Sequence, residues 1–169
     1  MKARMPGKGA GLAKPGSLAL AGLIGAVYGA VTILLAPLSY GPVQVRVAES
    51  LAVLPYLLPE AVPGLFVGCL IANLAGGYGV LDALLGSGAT LAAALISAKM
   101  PNAWLASLPP VFINMVVVGG YLSWLLDIPF IACALYIGLG QAASCCLLGI
   151  PLALFLERRI KKGGDSPAR

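Results

Sequence analysis

The chain has no histidine, and only 10% of its 169 residues are charged. Soluble domains carry about 25% charged residues, so this sequence is too poor in charge to cover a surface facing water. The missing histidine removes the usual general base and the commonest metal ligand. The four cysteines (Cys69, Cys133, Cys145, Cys146) sit inside apolar stretches, and none forms a CxxC. No metal site or disulfide framework is expected, and they read as small packing residues. No GxxxxGK[ST] occurs, so no phosphate-cradling loop for ATP hydrolysis is present. No serine or cysteine has a partner base in sight, which leaves hydrolytic chemistry without machinery.

What remains is apolar. Between Lys14 and Arg158 the only basic residues are Arg46 and Lys99. The intervals Ala61–Leu81, Ala83–Ala98, Met100–Leu126 and Ile128–Leu156 approach or exceed the ~20 apolar residues that cross a bilayer. They are continuous runs, not the ten-residue alternation of a membrane barrel, so they predict helices. The expected architecture is one all-α polytopic membrane domain over residues 17–160. Basic tails at 1–16 and 161–169 flank it.

Six segments are expected. The first, Ser17–Ala36, is longer than a signal-peptide core and lacks an evident cleavage site, so it reads as a membrane helix. Pro37 ends it, and Tyr40-Gly41-Pro42 has turn chemistry. Arg46–Leu58 is short and cut by Pro55. Glu60–Ala75 and Leu81–Ala98 follow, separated by the break at Gly76–Gly79. Leu108–Leu126 opens on Pro109 and Pro110, which suit a first turn. Pro129–Ile160 is last. The net charge of +5 is concentrated at the two ends, which signals topology rather than nucleic-acid binding. The positive-inside rule puts both termini in the cytoplasm and Lys99 with them. Asp82, at the start of the fourth segment, and Asp127 then fall on the outer side. Arg46, alone among eleven basic residues, falls on the outer side, which marks it for function.

Gln44, Arg46 and Glu49 form the first candidate cluster. An extended loop would aim Gln44 and Arg46 to one side, and a helix would place Arg46 and Glu49 on one face. Either a local salt bridge or a ligand site fits. Asn114 and Gln141 are amides inside apolar helices, where they must find a partner, either a neighbouring helix or a ligand. Asn73 precedes the glycine-rich break and could bridge it. On the first helix, Ala21, Gly25 and Gly29 form one small-residue row, and Gly22, Ala26 and Ala30 form another. Such rows serve close packing, within the bundle or against another protein.

The stretches SYGPVQVRVAESLAVLPYLLPEAVPGLFVGCLIANL, DALLGSGATLAAAL, LPPVFINMVVVG and GLGQ followed by LGIPL together resemble the queuosine-precursor transporter family. The most specific block is G-P-x-Q-x-R-x-x-E followed by P-E-x-x-P-G-L-x-x-G-C, over Gly41–Asn73. The resemblance implies a six-helix S component, the substrate-binding subunit of an energy-coupling-factor (ECF) transporter in the cell membrane. Its partners would be a membrane T component, met through the small rows of the first helix, and two cytoplasmic ATPases. No cofactor is implied. The ligand would be a 7-deazaguanine such as preQ0 or preQ1, taken from outside. Glu49 would accept its ring N–H and amino donors, with Arg46 orienting the carboxylate. Gln44, Asn114 and Gln141 would serve its carbonyl and pyrrole side, with Asn73 nearby. Tyr40, Phe66 and Tyr78 would stack on the ring. Gln141 stands where the family pattern has an acid, which favours the neutral preQ0 over preQ1 with its charged aminomethyl arm. An S component or stand-alone carrier for another small molecule is the alternative. A membrane enzyme or assembly factor fits less well.

Overall fold

A computed structural model describes residues 15–40, 44–76 and 78–164, and every regular element among them is helical. The elements are α1 (Pro15–Leu34), α2 (Ala36–Ser39), a 3-10 helix (Val47–Tyr56), α3 (Ala61–Ala75), α4 (Gly79–Ser97), α5 (Ala103–Ala106), α6 (Leu108–Leu126), α7 (Phe130–Ala142), a π-helical segment (Ala143–Gly149) and α8 (Ile150–Gly164). Four stretches are long and apolar enough to cross a membrane: Pro15–Leu34, Gly79–Ser97, Ala103–Leu126 and Phe130–Lys162. Val47–Tyr56 and Ala61–Ala75 are apolar but shorter. The Gly41-Pro42 turn, Gly77 of the glycine-rich break and the basic residues before Pro15 lie outside the described residues.

α1 ends at Leu34, ahead of Pro37 as the sequence predicts, and Pro37 belongs to the separate short helix α2. It sits in the first turn of α2, where its missing N–H costs nothing. Leu108–Leu126 is helical as the sequence predicts, and Asp127 closes it in the left-handed conformation at φ 53°. The two departures are in pitch. The second segment is a 3-10 helix of ten residues, far longer than the three or four usual for that geometry. The sixth carries a seven-residue π-helical stretch. The two irregular segments pack on each other, and Gly149 makes the contact possible. A Cβ there would lie 2.7 Å from Val53 Cγ2 and 2.8 Å from the Ser50 carbonyl oxygen.

The 3-10 helix is the centre of the bundle, touching α1, α3, α4, α5, α6, α8 and the π segment. α1 packs on α3, α3 on α4, α4 on α6, and α6 on α7. One apolar cluster gathers around the 3-10 helix and includes Tyr28, Leu65 and Val53. A second lies among α4, α6 and α7 and includes Tyr121, Leu122 and Ile137. The large apolar side chains mostly face outward: Leu34 is 81% exposed and Trp124 77%. Where the surroundings are lipid, apolarity does not mark the inside. Polar side chains do.

Candidate functional site

Three charged side chains are buried together with a set of amides and hydroxyls. Arg46 arrives from the chain entering the 3-10 helix. Its Nη2 lies 3.5 Å from Asp82 Oδ2, and its Nε donates to the Ser39 carbonyl at 3.4 Å. The Tyr121 hydroxyl donates to Asp82 Oδ1. Asn73 Nδ2 donates to the Asp82 carbonyl at 3.0 Å, so Asn73 bridges the break between α3 and α4. Gly86 leaves room for this group, since a Cβ there would lie 2.6 Å from Asn73 Nδ2 and 2.8 Å from Asp82 Oδ1. Asp82 lies in α4, within the Leu81–Ala98 segment expected from the sequence. It is fully buried in the first turn of α4, because a cation 36 residues earlier in the chain meets it there.

Glu49 belongs to the other half of the cluster. The Tyr28 hydroxyl donates to its Oε1, and Gln141 is linked to the same helix through Cys145. Cys145 Sγ donates to the Glu49 carbonyl at 3.4 Å and to Gln141 Oε1 at 3.6 Å. The local Arg46–Glu49 bridge weighed from the sequence does not form. Arg46 precedes the helix in an extended conformation (φ −85°, ψ 97°) and turns to Asp82 instead.

The cluster has atoms to spare. Gln44 Nε2, Glu49 Oε2, Asn73 Oδ1, Asn114 Oδ1, Ser39 Oγ and Ser144 Oγ are buried without a hydrogen-bond partner. Each such atom costs about 1–3 kcal/mol, so a group of them points to a ligand that satisfies them. Gln44 adds a strained backbone: its φ of 45° is in the left-handed region. Asn114 shares a face of α6 with Tyr121, seven residues on. Its level follows from the packing of α6 on α7. Added Cβ atoms at Gly119 and Gly138 would meet Ala134 Cα at 2.8 Å and Met115 Sδ at 3.0 Å. This antiparallel register sets Asn114 within about one helical turn of Gln141.

Two of the three aromatic candidates lie at one end of this group. The Tyr40 hydroxyl donates to the Ala72 carbonyl at 2.5 Å, and the Tyr78 hydroxyl donates to the Tyr40 carbonyl at 3.0 Å. Arg46 lies over the Tyr40 ring at 5.5 Å, a cation–π arrangement. Phe66 is half-buried on α3, two turns before Asn73 and so about 10 Å away along the axis. Sequence reasoning missed Asp82, Tyr28, Tyr121 and Ser144. The tyrosines and the serine carry no local signal, since each looks like one more bundle residue until its partner is known.

The small-residue rows of α1 have different fates. Ala21, Gly25 and Gly29 are buried against α3, where Gly64 and Gly68 face them. Gly22, Ala26 and Ala30 are exposed. Both rows line an apolar groove of about 520 Å³ with Leu18, Ile33, Val67 and Ile71. The groove has no charged or amide side chain, so it does not suit a hydrogen-bonding ligand. The polar cluster does.

No curated protein and no solved structure matches the chain significantly. The sequence does match the QueT transporter family over residues 18–158, a span running from α1 into α8 and holding every residue of the buried cluster. A chain of apolar helices whose buried core is charged and hydrogen-bonding is in keeping with transport, and the chain belongs to the QueT transporter family.

Proposed function

We propose that this chain is the substrate-binding S component of an ECF importer, taking up a 7-deazaguanine queuosine precursor across the cell membrane. The observation that carries the reading is Glu49, buried in the bundle with Oε2 unpartnered, inside a chain of this family. Its free oxygen accepts the ring N–H and amino donors of the base. Gln44 Nε2 serves the carbonyl oxygen, and Asn114, Gln141 and Ser144 line the pyrrole side. Arg46 does not orient Glu49 directly. With Asp82 and Tyr121 it forms the opposite wall.

In this reading the chain crosses the membrane six times, with both termini in the cytoplasm. The 3-10 helix and α3 are the two short crossings. Ten residues at a 3-10 rise of about 2.0 Å reach about 20 Å, against about 15 Å for an α-helix. Trp104 and Trp124, both strongly exposed, lie twenty residues apart on the α5–α6 path. That is about 30 Å, the thickness of a bilayer core, and tryptophan favours both of its interfaces. A T component meets the exposed row Gly22, Ala26 and Ala30, and two cytoplasmic ATPases supply hydrolysis.

Calorimetric titration of the purified chain with preQ0, preQ1, queuine and guanine tests this. Tight binding of a deazaguanine with guanine excluded supports it. Absence of binding by a demonstrably folded protein rejects the substrate assignment. Co-purification with a T component tests the S-component role separately.

A further inference from the structure

Near its end α8 carries four cations, Arg158, Arg159, Lys161 and Lys162, and all are exposed. They divide between two faces. Lys161 sits one turn after Glu157 and pairs with its Oε1 at 2.7 Å. The other oxygen of that carboxylate accepts the Tyr56 hydroxyl of the 3-10 helix at 3.3 Å. This face turns inward, since Ala153 and Ile150, one and two turns before Glu157, are buried.

The opposite face has no such partners. Pro151, Phe155, Arg158, Arg159 and Lys162 follow at spacings of three and four, so they share one side of the helix, and all five are exposed. The Arg159 guanidinium lies over the Phe155 ring at 5.1 Å, a cation–π contact that marks where the apolar part of the face gives way to the basic part. Among the described residues no carboxylate pairs with Arg158, Arg159 or Lys162. Three cations stand outside the bundle with no anion of the chain to meet them.

The complement of this face is an anion joined to hydrocarbon. The headgroup layer adds about 5–8 Å to each side of a bilayer core. With Phe155 at the edge of the hydrocarbon, Arg158 and Arg159 come about 5–6 Å further out, at the depth of lipid phosphates. Guanidinium groups hold phosphate oxygens through paired N–H donors. We infer that Phe155, Arg158, Arg159 and Lys162 form a site for the headgroup of an anionic phospholipid, with Phe155 against the acyl chains and the cations on the phosphodiester. An acidic protein surface would match the cations but not the apolar residues that lead up to them. A zwitterionic lipid carries its own ammonium beside the phosphate, and the same cations repel it.

The test is native mass spectrometry of the full chain in detergent, titrated with phosphatidylglycerol or phosphatidylcholine of equal chain length. The expected result is retention of phosphatidylglycerol with roughly tenfold or greater preference, since each basic residue near an anionic lipid contributes about fivefold. Arg159→Gln should weaken phosphatidylglycerol binding about fivefold, and Arg158→Gln combined with Arg159→Gln should abolish the preference. Lys161→Gln removes the same charge from the Glu157 face and should leave the preference unchanged. Melting transitions check that each variant is folded, and if the double variant is not, the single substitutions decide. Equal retention of the two lipids by the unmodified protein would overturn the inference and leave the basic face to an acidic protein partner. Equal losses in Arg159→Gln and Lys161→Gln would also overturn it, because they would show diffuse positive charge and no site. Displacement of the lipid by glycerol phosphate would identify a soluble phosphate as the ligand and overturn the lipid assignment.

Discussion

The contact between α1 and α3 and the cluster around Glu49 are built on opposite plans. At the first, backbone meets backbone. Added Cβ atoms at Gly64 and Gly68 would stand 2.5 Å from the carbonyl oxygens of Ala21 and Gly25, so nothing is spare. At the second, several polar atoms are buried without partners. Lipid gives helices no hydrophobic reason to associate, so close packing and interhelical hydrogen bonds hold the bundle. The seam uses the first means to completion. The cluster uses the second and stops short, and the proposed ligand would complete it.

Substitutions can break that contrast from either side. The largest effect is expected from Arg46→Ala, which leaves Asp82 buried without its cation. Breaking a buried pair costs about 3–5 kcal/mol, readable as a large fall in melting temperature. Gly68→Ala comes next. Overpacking against the fixed carbonyl of Gly25 should cost about 1–3 kcal/mol, while the folded fraction keeps its ligand affinity. Glu49→Gln should do the reverse. Affinity for a 7-deazaguanine falls tenfold or more, about 1.4 kcal/mol per decade, with little loss of melting temperature because the amide matches the carboxyl in size and can still accept from the Tyr28 hydroxyl. Gly22→Ala, three residues from Gly25 but with nothing within 4 Å of the added methyl, should stabilise by up to about 1 kcal/mol through helix propensity alone. Lys161→Ala removes an exposed pair with Glu157 at 2.7 Å and should change stability by less than about 0.5 kcal/mol. If Gly22→Ala and Gly68→Ala behaved alike in thermal melts, the division of α1 into a buried and a free row would be wrong.

The extent of the helices was legible because an apolar run must close its own hydrogen bonds in lipid. Leu108–Leu126 shows this best, with prolines opening it and Asp127 closing it. Arg46, Glu49, Gln44, Asn114 and Gln141 also stood out as polar residues among apolar ones, and the structure buries all five. Their pairing was not legible. A sequence scan weighs neighbours three or four residues apart, so it matched Arg46 with Glu49. The actual partner, Asp82, comes from a different helix, 36 residues on, where it stood in the sequence only as the first charge at the edge of an apolar run. The pitch of the second and sixth segments was hidden for a related reason. No residue pattern in Val47–Tyr56 or Ala143–Gly149 demands an unusual helix, and the two are found packed on each other through Gly149.

With three residues per turn, side chains of a 3-10 helix stack in columns. Glu49, Ala52 and Pro55 form one such column along the 3-10 helix, and all three are buried. The segment therefore behaves as a three-sided key. Inserting or deleting one residue between Ala52 and Tyr56 would turn everything before it by a third of a revolution. The carboxylate would then point along a neighbouring column, and Arg46 would swing away from α4 with it. Substitution can tune this transporter, but the length of those ten residues is set by the orientation of a single side chain.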